Sequence, residues 1–585
     1  MNDRFRKDEL CSHIHREQKT TESEKTGERQ DDRMISVNGN TVTVSTKTLD
    51  AVLESGTLVS LKNKSGREFL TDASKSSPTL EIVFRGNDKR PLKTCPQGKV
   101  TCTGLSESCA EIRFDALDGN GVLTLTEDEE NGDLCIEPEV SSARYGVLAA
   151  RWTVAGYSPD MRITAPFFQG IDMDPEDELI RNRKWIWPHR WEAGLCIFHD
   201  TEGGFWVHCR DTAFRAKSLV TGEKQTISFD AEAWGPIDRS LSAGGLMWRI
   251  NVFDGGWEVP AAEYRRWLWD AYRLGREEAR RPAWQKDIRL ALSWAPADRD
   301  LLKSLAKKVD PKTVLLHIPH WRTHGYDQCY PDFTPSEPFK EYLKFARALG
   351  FHVMPHANSV DMDPSMPEYK YVGDFKYRDI ENGTLMGWSW GIPMPHTNTA
   401  LDENRRYNVM VKIHPGLSLW RAILADNIDK ALRELDYGTD VVFTDVTLCS
   451  YNLDNCLVDN TTSTEGMMRL IDHVSRIHGG TAVGGEGLNE ITMQKLSFAQ
   501  VHLFDFNLNG EPLARTGKCD LNRFLFGKLC IPFGYSGLGG RDRNEEIRSQ
   551  VHIEHGALPT IIVGGAEEIE NPTPEVARML KMASE

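Results

Sequence analysis

Two acidic residues stand where strand-like runs end. Val441-Val-Phe-Thr-Asp445 closes one apolar run, and Thr481-Ala-Val-Gly-Gly-Glu486 closes the next. A carboxylate directly after a buried strand is costly unless it is hydrogen-bonded or used. Acids on neighbouring strand ends can approach one another. Two carboxyls flanking a bond can serve as nucleophile or base and as acid, the arrangement that cleaves a glycosidic bond. The glycines before Glu486 let a substrate or another backbone come close. Asp505, after Val501-His-Leu-Phe, is a third acid at a strand end, expected to hydrogen-bond substrate or support the pair. A lone acid of this kind more often caps a helix or pairs with an arginine; two on adjacent strands favour the chemical reading.

A histidine group lies nearby in sequence: His317-Ile-Pro-His320-Trp321-Arg-Thr-His324, then His352 and His356. One reading is pocket lining, with His320, Trp321 and His356 contacting hydroxyl groups. The other is a metal site, because imidazoles from adjacent strand ends can converge. The group has no HxH or HExxH pattern; His13-Ile-His15 is the sole HxH in the chain. Trp294, at the end of a further strand, and Asn358, two residues past the strand that ends at His356, are expected to line the same pocket. Residues 357–415 are too long for a plain connection and carry Trp388, Trp390, His396 and Asn398, which reads as a binding lid or a structural insertion. Trp offers a flat apolar face and one N–H, which suits stacking on sugar rings. Gly534-Tyr-Ser-Gly-Leu-Gly-Gly540 would suit a phosphorylated or sulfated group. Phosphate-loop and dinucleotide-binding motifs are absent.

Eight strands are predicted to position these groups: Ile288–Trp294, Thr313–Pro319, Phe351–His356, Asp440–Val446, Thr481–Glu486, Val501–Phe506, Lys528–Phe533 and Pro559–Val563. Helical stripes lie between most of them, as in Asp300–Lys308, Ser336–Leu349, Ser418–Leu435 and Thr464–Ile477, with Pro574–Ala583 last. This alternation predicts a (β/α)8 barrel over residues 285–585, with an open doubly wound sheet as the rival. Residues 34–258 read as a β-sandwich of short strands, with a hairpin turning at Ser55-Gly56. Residues 259–284 read as a helical linker. Residues 1–33 read as a disordered leader, too poor in apolar side chains to order itself. The cluster Arg183-Lys-Trp185-Ile-Trp187-Pro-His-Arg190-Trp191 reads as an interdomain core contact or a loop over the barrel mouth.

At 585 residues the chain is too long for one core. Its 86 acidic against 70 basic residues give a net charge of −16, which argues against a nucleic-acid partner. No run of 18 apolar residues occurs, so no membrane span is expected. The start lacks an apolar signal region, and the twelve cysteines include no CxxC. A cytoplasmic location is therefore expected of the chain as written, with export requiring a different start. Sixteen Trp carry weight for binding only where they cluster near loops.

A sandwich, a helical bridge and then a barrel resemble the large retaining α-glycosidases. The chain most resembles glycoside hydrolase family 101, the endo-α-N-acetylgalactosaminidases, and related uncharacterised bacterial barrel proteins. The resemblance spans roughly residues 40–585 in architecture and rests on Phe443-Thr-Asp445 and Gly484-Gly-Glu486-Gly. It implies Asp445 as nucleophile, Glu486 as acid/base and an α-linked sugar. The expected function is hydrolysis of an oligosaccharide or glycoconjugate by double displacement, with no cofactor and no metal. Two alternatives stand beside it: a metal-dependent barrel hydrolase built on His317, His320 and His356, and a non-catalytic carbohydrate-binding barrel.

Overall fold

A computed structural model describes residues 34–86, 89–91, 98–177, 180–223, 225–376, 387–389, 409–449, 456–501, 517–527, 529–534 and 555–585. The expected leader at 1–33 lies outside them.

The first part of the chain is β-structure. Four antiparallel strands between Met34 and Asn63 form a sheet, and Ser55 and Gly56 both take positive φ at the expected hairpin turn. Behind it, an 11-stranded and a six-stranded sheet share a core of Trp152, Trp191, Phe229 and Trp248. Within the larger sheet, Lys99–Ser106, Cys109–Ala116, Gly119–Asp128 and Asp133–Ser141 run as one antiparallel meander. The sequence reading did not single out these strands, which carry acids and threonines on their open face. Six of the sixteen Trp are among the largest fully buried side chains (Trp152, Trp187, Trp191, Trp206, Trp248 and Trp420) and serve packing rather than binding.

The second part is the barrel. Its strands are Leu290–Leu292, Val314–Ile318, His352–Asn358, Val441–Asp445, Ala482–Glu486, Phe498–Val501, Ile531–Gly534 and Thr560–Ile561, called strands one to eight below. All pairings are parallel, in the order seven-six-five-four-three-two-one-eight, and a bridge between Phe533 and Leu558 joins seven to eight. The expected barrel is thus observed, with two strand starts moved: strand six begins at Phe498, three residues before the predicted Val501, and strand seven at Ile531, three after the predicted Lys528. Phe498 packs inside the barrel, and this burial sets the start of the strand.

The intervening helices follow the apolar stripes. Helix Glu337–Leu349 is capped by the Ser336 hydroxyl accepting from the Phe339 N–H, and Ser463–Ser475 by Thr462 accepting from Glu465. Helix Ser418–Glu434 buries Trp420, Leu424, Ile428, Ala431 and Leu432. Inside the barrel, Ala291, Leu315, Met354, Val441, Phe443, Phe498 and Phe533 form a separate apolar plug. Gly484 of strand five is needed there, since a Cβ would stand 2.6 Å from Met354 Sδ.

The sandwich and the barrel are bolted together by core rather than surface. One hydrophobic cluster runs from Ala193, Leu195 and Trp206 through Tyr264 into the barrel wall. Glu490, in the loop after strand five, is buried and accepts from Trp187 Nε1, from the Tyr264 hydroxyl at 2.8 Å and from the Gly194 N–H at 3.4 Å. The Arg183–Trp191 cluster is therefore interior: Trp185 stacks on Phe167 at 4.1 Å, and Trp191 on Trp248. Strand Gly517–Lys518, from the segment after strand six, pairs with Ile171–Asp172 of the sandwich. No described helix is long and apolar enough to cross a membrane.

Candidate active site

Side chains alternate along each strand, so the parity that fills the plug with Ala291, Leu315, Met354, Phe443 and Phe498 also turns the next residues inward. These are Ser293, His317, His356, Asp445 and Gln500, one layer nearer the carboxyl ends. Catalytic groups of such barrels sit at that face.

Asp445 closes strand four, and the register of strands four and five places it beside Glu486. Its side chain is 14% exposed, while Glu486 is 6% exposed overall. The turn after Asp445 is strained: Val446, a β-branched residue, stands at φ +64°. Its N–H donates to Glu486 Oε2 at 3.1 Å. Thr447 fixes the other side, its hydroxyl accepting from the Glu486 N–H and donating to the Glu486 carbonyl, both at 2.7 Å. Gly485 leaves room for that hydroxyl, because a Cβ would meet it at 2.7 Å. The Asp445 carbonyl accepts from the Ser359 N–H and hydroxyl at 3.0 and 2.6 Å.

Burial is the largest single influence on the Asp445 carboxyl and raises its pKa. The facing His356 (by its charge when protonated and by its N–H), the Val446 amide and Lys412 together outweigh burial. The net direction is below the ordinary carboxylate value. His356 Nε2 lies 3.5 Å from Asp445 Oδ2. Asp327, in the loop after strand two, goes the other way. Burial first, then repulsion from Asp361 and Asp445, pushes it up to about 8, although the Tyr330 hydroxyl donates to it at 3.2 Å.

The other expected residues divide. Trp294 is half-buried at the mouth, held at φ +53°, with its ring 5.7 Å from His356 and 5.3 Å from Tyr326. Trp321 is 2% exposed, packs on Phe339 and donates to the His356 carbonyl at 2.7 Å, so it serves the core. Asn358 is buried and holds the next turn, accepting from the Val360 and Asp361 N–H groups. His320 is exposed, 6.1 Å from Tyr326. His352 lies toward the opposite end of strand three, stacked on Trp284 at 4.1 Å. Trp390, His396, Asn398, Asp505 and residues 535–540 lie outside the described residues, as does the Trp388 side chain. The excursion itself builds a small sheet of Asp361–Met362, Val409–Lys412 and Gly387–Ser389.

His317 and His356 do meet, but nitrogen to nitrogen at 2.9 Å, as a hydrogen bond. Among the described residues no group of three His, Cys, Asp or Glu is placed to share a metal ion. A cavity of about 710 Å³ opens at the opposite end of the barrel, near Asp440 and Thr481. There Lys495 is paired with both Glu277 and Asp472, and Arg476 with Asp472. Sequence reasoning missed Ser293, Tyr326, Asp327, Val446, Thr447 and Gln500. Only the position of Asp327 in the histidine-bearing loop could have drawn attention to it.

Residues 247–466 match a family model described as a domain of unknown function (DUF6259). A curated protein of Bacteroides thetaiotaomicron, described as a "putative glycoside hydrolase", is 26% identical over 213 residues. That match covers 35% of this chain and spans only 29% of the relative's length. The chain shares the fold of solved glycosidases. It is similar to an α-N-acetylgalactosaminidase, NagBb, of Bifidobacterium bifidum, with a TM-score of 0.66 at 12% identity over 92% of each chain. It is also similar to a GH31 family sulfoquinovosidase from E. rectale, with a TM-score of 0.52 at 10% identity, covering 94% of this chain and 82% of the other.

Proposed function

We propose that this protein is a glycoside hydrolase that cleaves an α-linked sugar with retention, Asp445 acting as nucleophile and Glu486 as acid/base. The observation that carries the reading is the placing of the two carboxyls at the carboxyl ends of adjacent, parallel barrel strands, with the Val446 N–H donating to Glu486 Oε2. Neighbouring strands lie about 4.7–4.9 Å apart, and the register of strands four and five sets the two acids side by side. That favours the spacing of about 5–5.5 Å used for retention over the roughly 6.5–9.5 Å used for inversion. Asp445 is held ionised, as a nucleophile requires, and attacks the anomeric carbon as the leaving oxygen takes the proton of Glu486. Glu486 then draws a proton from the water that releases the sugar. Trp294 and Tyr326 supply an aromatic wall for the ring. The fold shared with glycosidases and the relative in Bacteroides support the hydrolase class, and the α-linkage follows the proteins whose fold it shares.

The test is turnover of aryl α- and β-glycosides by wild type, Asp445→Ala and Glu486→Ala, with azide added. A glycosyl azide of inverted configuration from Asp445→Ala establishes the nucleophile and retention. Active wild type with both variants close to it would overturn the assignment.

A further inference from the structure

Below Asp445 a line of buried polar side chains runs around the barrel, one from each of four neighbouring strands and one from across it. His356 Nε2 faces Asp445 Oδ2 at 3.5 Å, and His356 Nδ1 meets His317 Nε2 at 2.9 Å. His317 Nδ1 faces Ser293 Oγ at 3.5 Å, and Ser293 Oγ accepts from Gln500 Nε2 at 2.9 Å. Ser293, His317 and Gln500 are wholly buried, and His356 is 1% exposed. An apolar residue would satisfy packing at each position, so a continuous polar line calls for an account.

Its direction is set at the Asp445 end and by the charge of His317. The Asp445 carboxylate only accepts, so the His356 nitrogen that faces it must carry a proton. At the far end Ser293 Oγ accepts from Gln500 and keeps its own proton to give, and in this order that proton goes to His317 Nδ1. His317 is neutral, because complete burial holds its pKa well below the ordinary value. A neutral ring that accepts at Nδ1 must donate at Nε2, and His356 Nδ1 must then accept. Donors and acceptors fit along the whole line in one order.

We propose that Gln500, Ser293 and His317 are positioning residues that fix the tautomer of His356, so that a neutral imidazole presents its Nε2–H to Asp445. The orienting group of a nucleophile–histidine–acid triad does the same for its imidazole. The fixed N–H steadies one carboxylate oxygen and aims the other, while the neutral ring leaves the full negative charge on Asp445 for attack. This catalytic consequence rests on the glycosidase reading; the protonation pattern does not.

The experiment is long-range ¹H–¹⁵N NMR of the full-length protein labelled with ¹⁵N-histidine, His317 and His356 being assigned by the signals lost in His317→Gln and His356→Gln. Both rings are expected to be protonated at Nε2 and bare at Nδ1 near neutral pH. A proton on Nδ1 of either ring, including a doubly protonated His356, would overturn the proposal. Ser293→Val removes the hydroxyl and Ser293→Thr keeps it at the same size. Valine is expected to release the His317 tautomer, with threonine retaining the wild-type pattern; identical spectra for the two variants would also count against the relay. The expected pattern together with a failed azide test sinks the glycosidase reading alone, and the reverse sinks the relay alone.

Discussion

The Val446 N–H donates to Glu486 Oε2 at 3.1 Å, and the residue that makes this bond is itself held at φ +64°. A β-branched residue in that region costs about 1–3 kcal/mol. The surrounding contacts, from Ser359 on one side and Thr447 on the other, hold the turn in place. Val446→Gly relieves the strain but loosens the amide. The melting temperature should not fall, while kcat should drop by about tenfold, equivalent to roughly 1.4 kcal/mol. Thermal melts and turnover read the two effects separately, and a fall of several degrees would instead make Val446 a packing residue.

Removing His356 should change the pH dependence of activity. The free-enzyme nucleophile must be ionised, so activity is lost as pH falls through the folded-state pKa of Asp445, which lies below the ordinary value. The same lowered pKa contributes stability that is present above the unfolded value and lost as pH falls through the folded one. His356→Asn removes the principal lowering influence. The acid limb of kcat/KM against pH should then move upward; an unmoved limb would mean that His356 does not govern the nucleophile.

Asp327 carries the opposite sign. With its pKa pushed up to about 8, the folded chain keeps a proton that the unfolded chain releases near pH 4. Stability should therefore decline as pH rises between about 4 and 8. Asp327→Asn removes that slope. Urea midpoints across this range test it, and equal slopes in the two proteins would place Asp327 outside the charge network.

The contact between sandwich and barrel should be equally measurable. Glu490→Leu leaves the buried Trp187 Nε1 and Tyr264 hydroxyl without their acceptor. Losing an acceptor costs about 1–3 kcal/mol per stranded donor. A loss of about 3 kcal/mol in urea unfolding is expected, and a loss under 1 kcal/mol would make the network incidental.

Much of this architecture was legible in the chain. The helix Ser418–Glu434 and the strand Val441–Asp445 stand within a residue or so of their predicted limits, because an apolar stripe and a short apolar run report burial directly. The start of strand six was set too late because only the plug around Phe443 and Phe533 shows that Phe498 is interior. Trp321 and Asn358 were expected in the pocket for their chemistry. The structure gives their polar atoms to the His356 carbonyl and to a turn instead.

The sequence by itself determined the alternation of strands and helices, the eightfold count and the placing of Asp445 and Glu486 at the ends of neighbouring strands. Each of these follows from local periodicity and from the cost of an acid at the end of a buried run. Only the tertiary structure decided what surrounds the two acids. Barrel closure brings Ser293, His317, His356 and Gln500, as many as 207 residues apart, into one buried hydrogen-bonded line. It also sets one strained amide against the Glu486 carboxylate, on the strand beside Asp445. Inward-facing layers are made by strands side by side rather than by residues in succession, so no local pattern in the chain records them.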